Sequence, residues 1–466
     1  MKKPLLLLPL FAICFANAQS GMDLQQCIEY ALKHNISLRQ SNLSNEQIKN
    51  NSNQAKAALL PSVNAGASHV YNFGKTIDRF TNSFANTQVL SQNFYVGSNV
   101  VLWSGLSQLN NAQASEYTYQ SGVEQLKQQE NDLSLSVANA YIGVIFSEEV
   151  LKISQNQYKI TQEQFERTRK LVDAGATAKS VEYDIKAQLA SEEVNVTTAE
   201  NNYDLALLNL KQLMNFDSVM NFSIVRPDIS VQESQLIENN LTAIYETALK
   251  NQPIIKSGEY SLKSADRTLA ASRGRVSPSL TFNASMGTGT SGLAKKVTGY
   301  TTQSQPLVTS AGVFYYDVQV PTYENMPFSE QFKNNVNKSL GLTLSIPIFN
   351  GLQTSTAVRN AKLNSLNAKF SQDLNKQNLY KSVAQAHANA KAAFNKYIAT
   401  KASVDAASES FKYAEQKFNA GTISVFDFNS SKNRLYAAQS NMVQAKYDYI
   451  FKLKVLDYYQ GKPLGL

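Results

Sequence analysis

The sequence predicts a mainly α chain with a membrane β-barrel, built as a duplicated helix–strand–strand–long helix–helix protomer. Three observations predict it. Two halves of the chain repeat one another in the same order, each half carries short segments of period-two alternation next to a proline, and each then runs into heptads sustained over many turns. Composition narrows the choice further. Among 466 residues there are only 11 Pro and 20 Gly, too few for an all-β domain rich in turns. With 43% hydrophobic residues and a mean hydropathy of −0.30, the chain is amphipathic. Past the N-terminus no apolar run approaches the ~18 residues of a spanning helix, so insertion into a bilayer has to use strands.

The first residues read as a secretory signal over 1–18. Lys2-Lys3 is the positive region, Leu5 to Phe15 the apolar core and Ala16-Asn17-Ala18 the small-residue cleavage site. Cys14 is preceded by Phe11-Ala12-Ile13, without the small residue a lipidated cysteine needs, so plain cleavage before Gln19 is expected. Cys27 is then the one mature cysteine, which excludes an internal disulfide and fits half-buried packing. The three histidines, His34, His69 and His387, are scattered, and no metal or cofactor is expected. The net charge of +8 is spread along the chain with no basic block, which argues against nucleic acid. There is no nucleophile elbow, phosphate loop or convincing acid pair, so an enzyme is not expected.

The first repeat is expected over 19–215 and the second over 239–466, with a linker at 216–238. Residues 31–68 match 248–285 without a gap, placing Pro61 against Pro278. Further on, Gly105 matches Gly351, and Ala174-Gly175 matches Ala420-Gly421 at the same offset. Opening helices are predicted over 24–58 and 240–275, Ala-, Gln- and Lys-rich and ending before the prolines.

Strands follow at 62–73 and 92–103, and at 279–288 and 336–349. Leu280, Phe282, Ala284 and Met286 share one face of their strand, and Leu340, Leu342, Leu344, Ile346 and Ile348 share one face of the next. Their opposite faces are Ser, Thr, Asn and Gly. One greasy and one polar face is the pattern of a transmembrane strand, though periodicity alone fits a half-buried soluble strand equally well. The second half is longer between its strands. Residues 288–335, with Tyr315-Tyr316 and Pro321, read as a surface loop, with a partial plug as the alternative.

Long helices come next, at 106–172 and 352–418, each roughly 100 Å at 1.5 Å per residue. Val123, Glu130, Val137, Val144, Leu151, Tyr158, Phe165 and Val172 fall on one heptad position, and Val383, Ala390, Tyr397, Val404, Phe411 and Phe418 repeat it. Return helices at 178–214 and 424–457 follow short turns, which forces antiparallel hairpins.

Four strands cannot stand alone in a bilayer, because an open edge leaves backbone groups unpaired in hydrocarbon. Closure requires other copies of the chain. Two copies would supply eight strands and three would supply twelve, and twelve is the smaller count with room for a lumen. The Asn-, Gln-, Ser- and Ala-rich helices would project into water.

Over its whole mature length the chain resembles the TolC family of outer-membrane efflux proteins. The resemblance rests on the duplication and on the opening pattern Leu24, Ile28, Ala31-Leu32, Asn35. It rests also on the junctions Pro61 and Pro278, on Pro347-Ile348-Phe349-Asn350-Gly351, and on the tip Ala420-Gly421-Thr422-Ile423-Ser424 with Asp427. It implies a homotrimer with a twelve-stranded barrel among outer-membrane lipid and a twelve-helix tunnel in the periplasm of a Gram-negative bacterium. It further implies docking of the helical tips on a periplasmic adaptor joined to an inner-membrane transporter. The tips would be Ala174, Gly175, Ala176 and Thr177, and Ala420, Gly421, Thr422, Ile423 and Ser424. Asp427 matches the first of two acids that ring the closed entrance in the family. Ser430 stands at the second, and Ile423 stands where a basic residue is expected. Asp184 is the first-half counterpart of Ser430 and would compensate. Asp427 reads equally well as an ordinary first-turn acid. A drug or metabolite duct is favoured over type I protein secretion, and a coiled-coil tether in the periplasm or at the surface is the competing reading.

Overall fold

A computed structural model of the chain describes residues 21–86, 88–217, 222–227 and 241–462. The expected signal peptide and much of the 216–238 linker lie outside the described residues. In the first half the elements run α1 (Leu24–His34), α2 (Ile36–Ala57), β1 (Ser62–Asn72), β2 (Thr76–Asp78), β3 (Ser83–Ala85), β4 (Val89–Trp103), α3 (Ser107–Asp173) and α4 (Lys179–Met214). The second half runs α5 (Leu241–Asn251), α6 (Pro253–Gly274), β5 (Ser279–Ser291), β6 (Lys295–Thr309), β7 (Gly312–Asn325), α7 (Phe328–Asn334), β8 (Asn337–Ser345), α8 (Gln353–Asn419) and α9 (Val425–Tyr459). They form two compact units. Of the described residues, one comprises those within 21–47, 119–261 and 368–462, the other those within 48–118 and 262–367.

The first unit is helical. A capping box starts α1: Asp23 Oδ1 accepts the Gln26 N–H at 2.7 Å, and the Gln26 side chain accepts the Asp23 N–H at 3.0 Å. Leu24, Cys27, Ile28 and Ala31 then recur at helical spacing and are buried against Val137, Tyr141 and Val144 of α3 and Leu210 and Met214 of α4. Cys27 is fully buried rather than half-buried, and burial, aided by the charge of Asp23, pushes its thiol up to about 12. The second copy repeats the pattern, with Ile244, Ala248 and Ile255 packed on Leu379, Val383 and Ala386 of α8 and Leu456 of α9.

Each opening helix, expected as one piece, is two. The chain is extended at Asn35, whose side chain accepts the Leu38 N–H at 3.1 Å and donates to the Leu213 carbonyl at 2.9 Å. In the second copy the break falls at Gln252, where Pro253 takes the first helical position, the one place its missing N–H costs nothing.

The second unit holds an antiparallel sheet in the order β1-β4-β5-β8. Across it, Val63, Ala65 and Ala67 of β1 share a face with Phe94 and Val96 of β4, with Phe282, Ala284 and Met286 of β5 and with Leu340 and Leu342 of β8. The opposite face carries Asn64, Asn99, Asn283, Thr281, Thr343 and Ser345. The register shifts between Val101 and Trp103, so Trp103 rather than Leu102 pairs with Leu280 and the simple alternation of that strand ends there. β8 stops at Ser345, short of the expected 349, because Pro347 has no N–H to give a ladder.

Residues 288–335 are not a plain loop. They form the β6–β7 hairpin, turning at Gly312 (φ +129°), and the short helix α7. A second, smaller hairpin, β2–β3, follows β1. Asp78, buried there, accepts hydrogen bonds from the Phe80 N–H at 3.0 Å, the Thr81 hydroxyl at 2.8 Å and the Ser291 hydroxyl.

At the strand-to-helix junctions Gly105-Leu106 and Gly351-Leu352 all four residues are left-handed, with φ between +61° and +65°. A left-handed Leu costs ~1–2 kcal/mol, so the same strained turn has been kept in both copies. The two glycines differ in their surroundings. A Cβ on Gly105 would meet the Gly274 carbonyl oxygen at 2.3 Å, whereas one on Gly351 meets nothing within 4 Å.

Candidate functional site

Two features carry functional geometry: the sheet in one unit and the helical tips in the other. The sheet is greasy on one face and polar on the other, and that face is exposed. Leu340, Leu342 and Leu344 are 77%, 65% and 61% exposed, which water would not tolerate on a finished surface. Among the described residues, no strand pairs with the outer edges of β1 and β8. Among the described residues no helix is long and apolar enough to cross a membrane, and no three His, Cys, Asp or Glu are grouped to hold a metal.

The tips are built by the turns α3–α4 and α8–α9. Gly175 (φ +70°) and Gly421 (φ +72°) take the left-handed conformation that ends each helix. The Ala176 N–H donates to the Leu171 carbonyl at 2.8 Å, and the Thr422 N–H to the Lys417 carbonyl at 2.9 Å, so both turns close alike. The Thr422 hydroxyl adds a second bond to Lys417 O at 2.9 Å. Between the tips lies a groove of about 770 Å³, lined by Ala176, Thr177, Asp184, Gly421, Ile423 and Ser424 among others. Asp427 and Ser430 are exposed but are not among its lining. Asp427 is turned back on its own helix: its N–H donates to Ser424 Oγ at 3.1 Å, and that hydroxyl donates to its carboxylate at 2.6 Å. Ala174 and Ala420 end their helices beside the glycines, donating to Lys170 O and Gln416 O.

Two links that sequence reading missed tie the hairpins together. Arg167 of α3 donates to Asn419 Oδ1, at the end of α8, at 2.6 Å. Deeper, Lys432 of α9 sits 2.8 Å from Glu192 Oε1 of α4, both side chains at most 3% exposed. Lys432 also donates to the Thr161 hydroxyl of α3 at 2.5 Å, Thr161 donates to Glu192, and Gln188 donates to Glu192 at 2.9 Å. Burial works to lower the Lys432 pKa. The hydrogen bond and charge of Glu192 oppose this, and the net direction is down. The apolar heptad pointed elsewhere. Leu151, Tyr158 and Phe165 are half-buried, while Ser154, Thr161 and Thr168, also seven apart, are the buried positions of α3 here. Ile185, Glu192 and Ala199 keep the same interval on α4, which is the signal that would have placed Glu192 in the seam.

A family model described as "Outer membrane efflux protein" matches residues 27–215 and 244–459. The chain is similar to outer membrane protein TolC of Escherichia coli (strain K12), 24% identical over 462 residues, covering 97% of this chain and 84% of that protein. It is similar also to the alkaline protease secretion protein AprF of Pseudomonas aeruginosa, 21% identical over 72% of this chain and 63% of that protein. Among solved structures, that of CusC superposes with a TM-score of 0.77 at 16% identity, over 94% of this chain and 92% of that one, and shares its fold.

Proposed function

We propose, from the premise that the chain belongs to the outer membrane efflux protein family, a specific working assembly for it. The protein is an exit duct of the outer membrane, with a helical part extending into the periplasm. In the assembly proposed here three copies close a twelve-stranded barrel. Each supplies β1, β4, β5 and β8, and β8 of one protomer pairs with β1 of the next. The observation that carries this is the sheet: four strands in register, greasy on one face, polar on the other and open at both edges. The polar face lines the lumen, and α3, α4, α8 and α9 of three copies make a twelve-helix tunnel.

The helical tips at Ala174–Thr177 and Ala420–Ser424 form the entrance and dock on a periplasmic adaptor coupled to an inner-membrane transporter. Arg167 and Asn419 support the reading that the first hairpin supplies the cation that holds the second, in place of the basic residue absent at Ile423. Asp184, on the groove, is the acid we assign to the entrance ring; Asp427 is a first-turn acid held by Ser424, the residue that caps α9. The duct is passive, and the passenger is chosen by the adaptor and transporter. Drug or metabolite efflux is the use we favour.

The test is conductance in planar bilayers. The purified protein is expected to form discrete channels, with Arg167→Ala raising the open fraction and Asp184→Asn lowering cation preference. Detergent-independent solubility without channels would return the protein to the tether reading.

A further inference from the structure

One cavity in the sheet-bearing unit is unused by the duct. It lies on the greasy face, under α7. That helix is fixed there by three polar contacts at the far end of β5: the Thr288 hydroxyl donates to Phe332 O at 2.8 Å, Asn335 donates to Gly289 O at 2.7 Å, and Gln331 accepts the Ser291 N–H at 2.8 Å. Phe94 is capped edge-on by Phe328 and Phe332. What remains open beneath is a cleft of about 510 Å³, walled by Ala65, Ala67, Val96, Met286, Phe332 and Val336. That volume is in the range of small-ligand sites. The cleft exists because β1 presents Ala65 and Ala67 where the neighbouring strands present Phe, Val, Met or Leu.

The position sets the class of occupant. β5 leaves Pro278 at the helical, periplasmic end, and Thr288 comes about ten residues later. At about 3.3 Å per residue and a tilt of ~40°, that is close to the ~25 Å height of a barrel's apolar band. α7 therefore sits at the outer boundary of the hydrocarbon, and its cleft faces acyl chains. Water would find few partners on these walls, and the Thr288 hydroxyl is already spent on Phe332 O. The rim is cationic. Lys338 pairs with Met286 and so emerges on the same face as the cleft, and Lys333 lies in the last turn of α7; both are exposed. The acid nearby, Glu330, is already paired with Lys296 at 3.0 Å.

We propose that this cleft binds an acyl chain of a lipid of the outer leaflet whose phosphate-bearing headgroup is net anionic, with Lys338 and Lys333 holding that headgroup. The site would fix one lipid per protomer at the outer rim, beside the β6–β7 hairpin.

Trp103 is the one tryptophan of the chain and lies at the other end of the same face, which gives the test an internal control. Phe332→Trp in a Trp103→Phe background is reconstituted in vesicles of phosphatidylcholine, doped with either brominated phosphatidylglycerol or brominated phosphatidylcholine. The cleft tryptophan is expected to be quenched at a lower fraction of the anionic lipid, by roughly fivefold per lysine. Lys333→Gln with Lys338→Gln should abolish the preference, and Ala67→Leu, which fills the cleft, should abolish it with the lysines intact. Equal quenching by the two lipids, or a preference that survives either change, overturns the site. Trp103 in otherwise identical variants should be quenched by both lipids alike. Its failure to quench would contradict barrel insertion itself, a separate result.

Discussion

Single residues decide the corners of this chain. Gly105 and Gly351 are equivalent by duplication and share a left-handed φ, so replacing either with Ala should cost ~1–2 kcal/mol through the backbone. Gly105→Ala should cost more, because its Cβ would have to displace the Gly274 carbonyl, whereas Gly351 faces open space. Thermal unfolding of the two variants in detergent checks this, and equal losses would contradict it. Asp78 makes a prediction in pH. Burial acts to raise its pKa, but the hydrogen bonds from Ser291, Phe80 and Thr81 outweigh burial and hold it below its ordinary value. A carboxyl with a depressed folded pKa stabilises fully above the unfolded value of about 3.9 and loses that contribution as pH falls through the folded one. Protease cleavage of the β2–β3 hairpin should therefore rise on acidification below about pH 4. Asp78→Asn should be cleaved faster at neutral pH and show no acid step; an unchanged acid step would assign the transition to another group.

At the scale of elements, the buried pair between α4 and α9 is the feature with most at stake. Lys432→Met leaves Glu192 uncompensated in a seam that excludes water and should cost about 3–5 kcal/mol. Lys432→Met with Glu192→Met should recover most of it, since a buried ion pair contributes little beyond an apolar pair of similar volume. Denaturant unfolding of the helical signal reads both. A double variant as weak as the single one would show that the loss comes from packing rather than from the orphaned charge.

The elements also show which parts of the fold the sequence exposes. Strands that face lipid on one side must alternate, so Leu340, Leu342 and Leu344 were legible. The helix breaks were half legible: Pro253 marks one, but Asn35 does the same work with a side-chain cap that looks like any helical Asn. The polar seam of Ser154, Thr161 and Thr168 was hidden, because hydroxyls bonding within and between helices leave no hydrophobic period. The β6–β7 hairpin was hidden too, its exposed two-strand ribbon carrying polar and apolar residues on both faces. At the tips, the resemblance offered Asp427 as a ring acid and the helix dipole an ordinary first-turn acid; in the fold Asp427 is held by Ser424, the cap of α9, and Asp184 lines the groove.

For the whole molecule, one chain is an incomplete object. Its sheet exposes leucines on one side and, among the described residues, two unpaired edges at its ends, and both defects disappear together if copies join edge to edge in a bilayer. The duplication supplies two helical hairpins per chain, α3–α4 and α8–α9, for the proposed tunnel. The most direct measurement is disulfide trapping across the proposed junction. Cysteine is placed at Ser62 on β1 together with Thr343 or Ser345 on β8, all on the polar face and near the periplasmic end of the sheet. Within one chain these strands are three intervals apart, about 14 Å, beyond the reach of a disulfide. Oxidised outer membranes should yield covalent trimers that reduction returns to monomers; monomers alone for every pair, in a protein that still conducts, would contradict a barrel closed by β8 on β1.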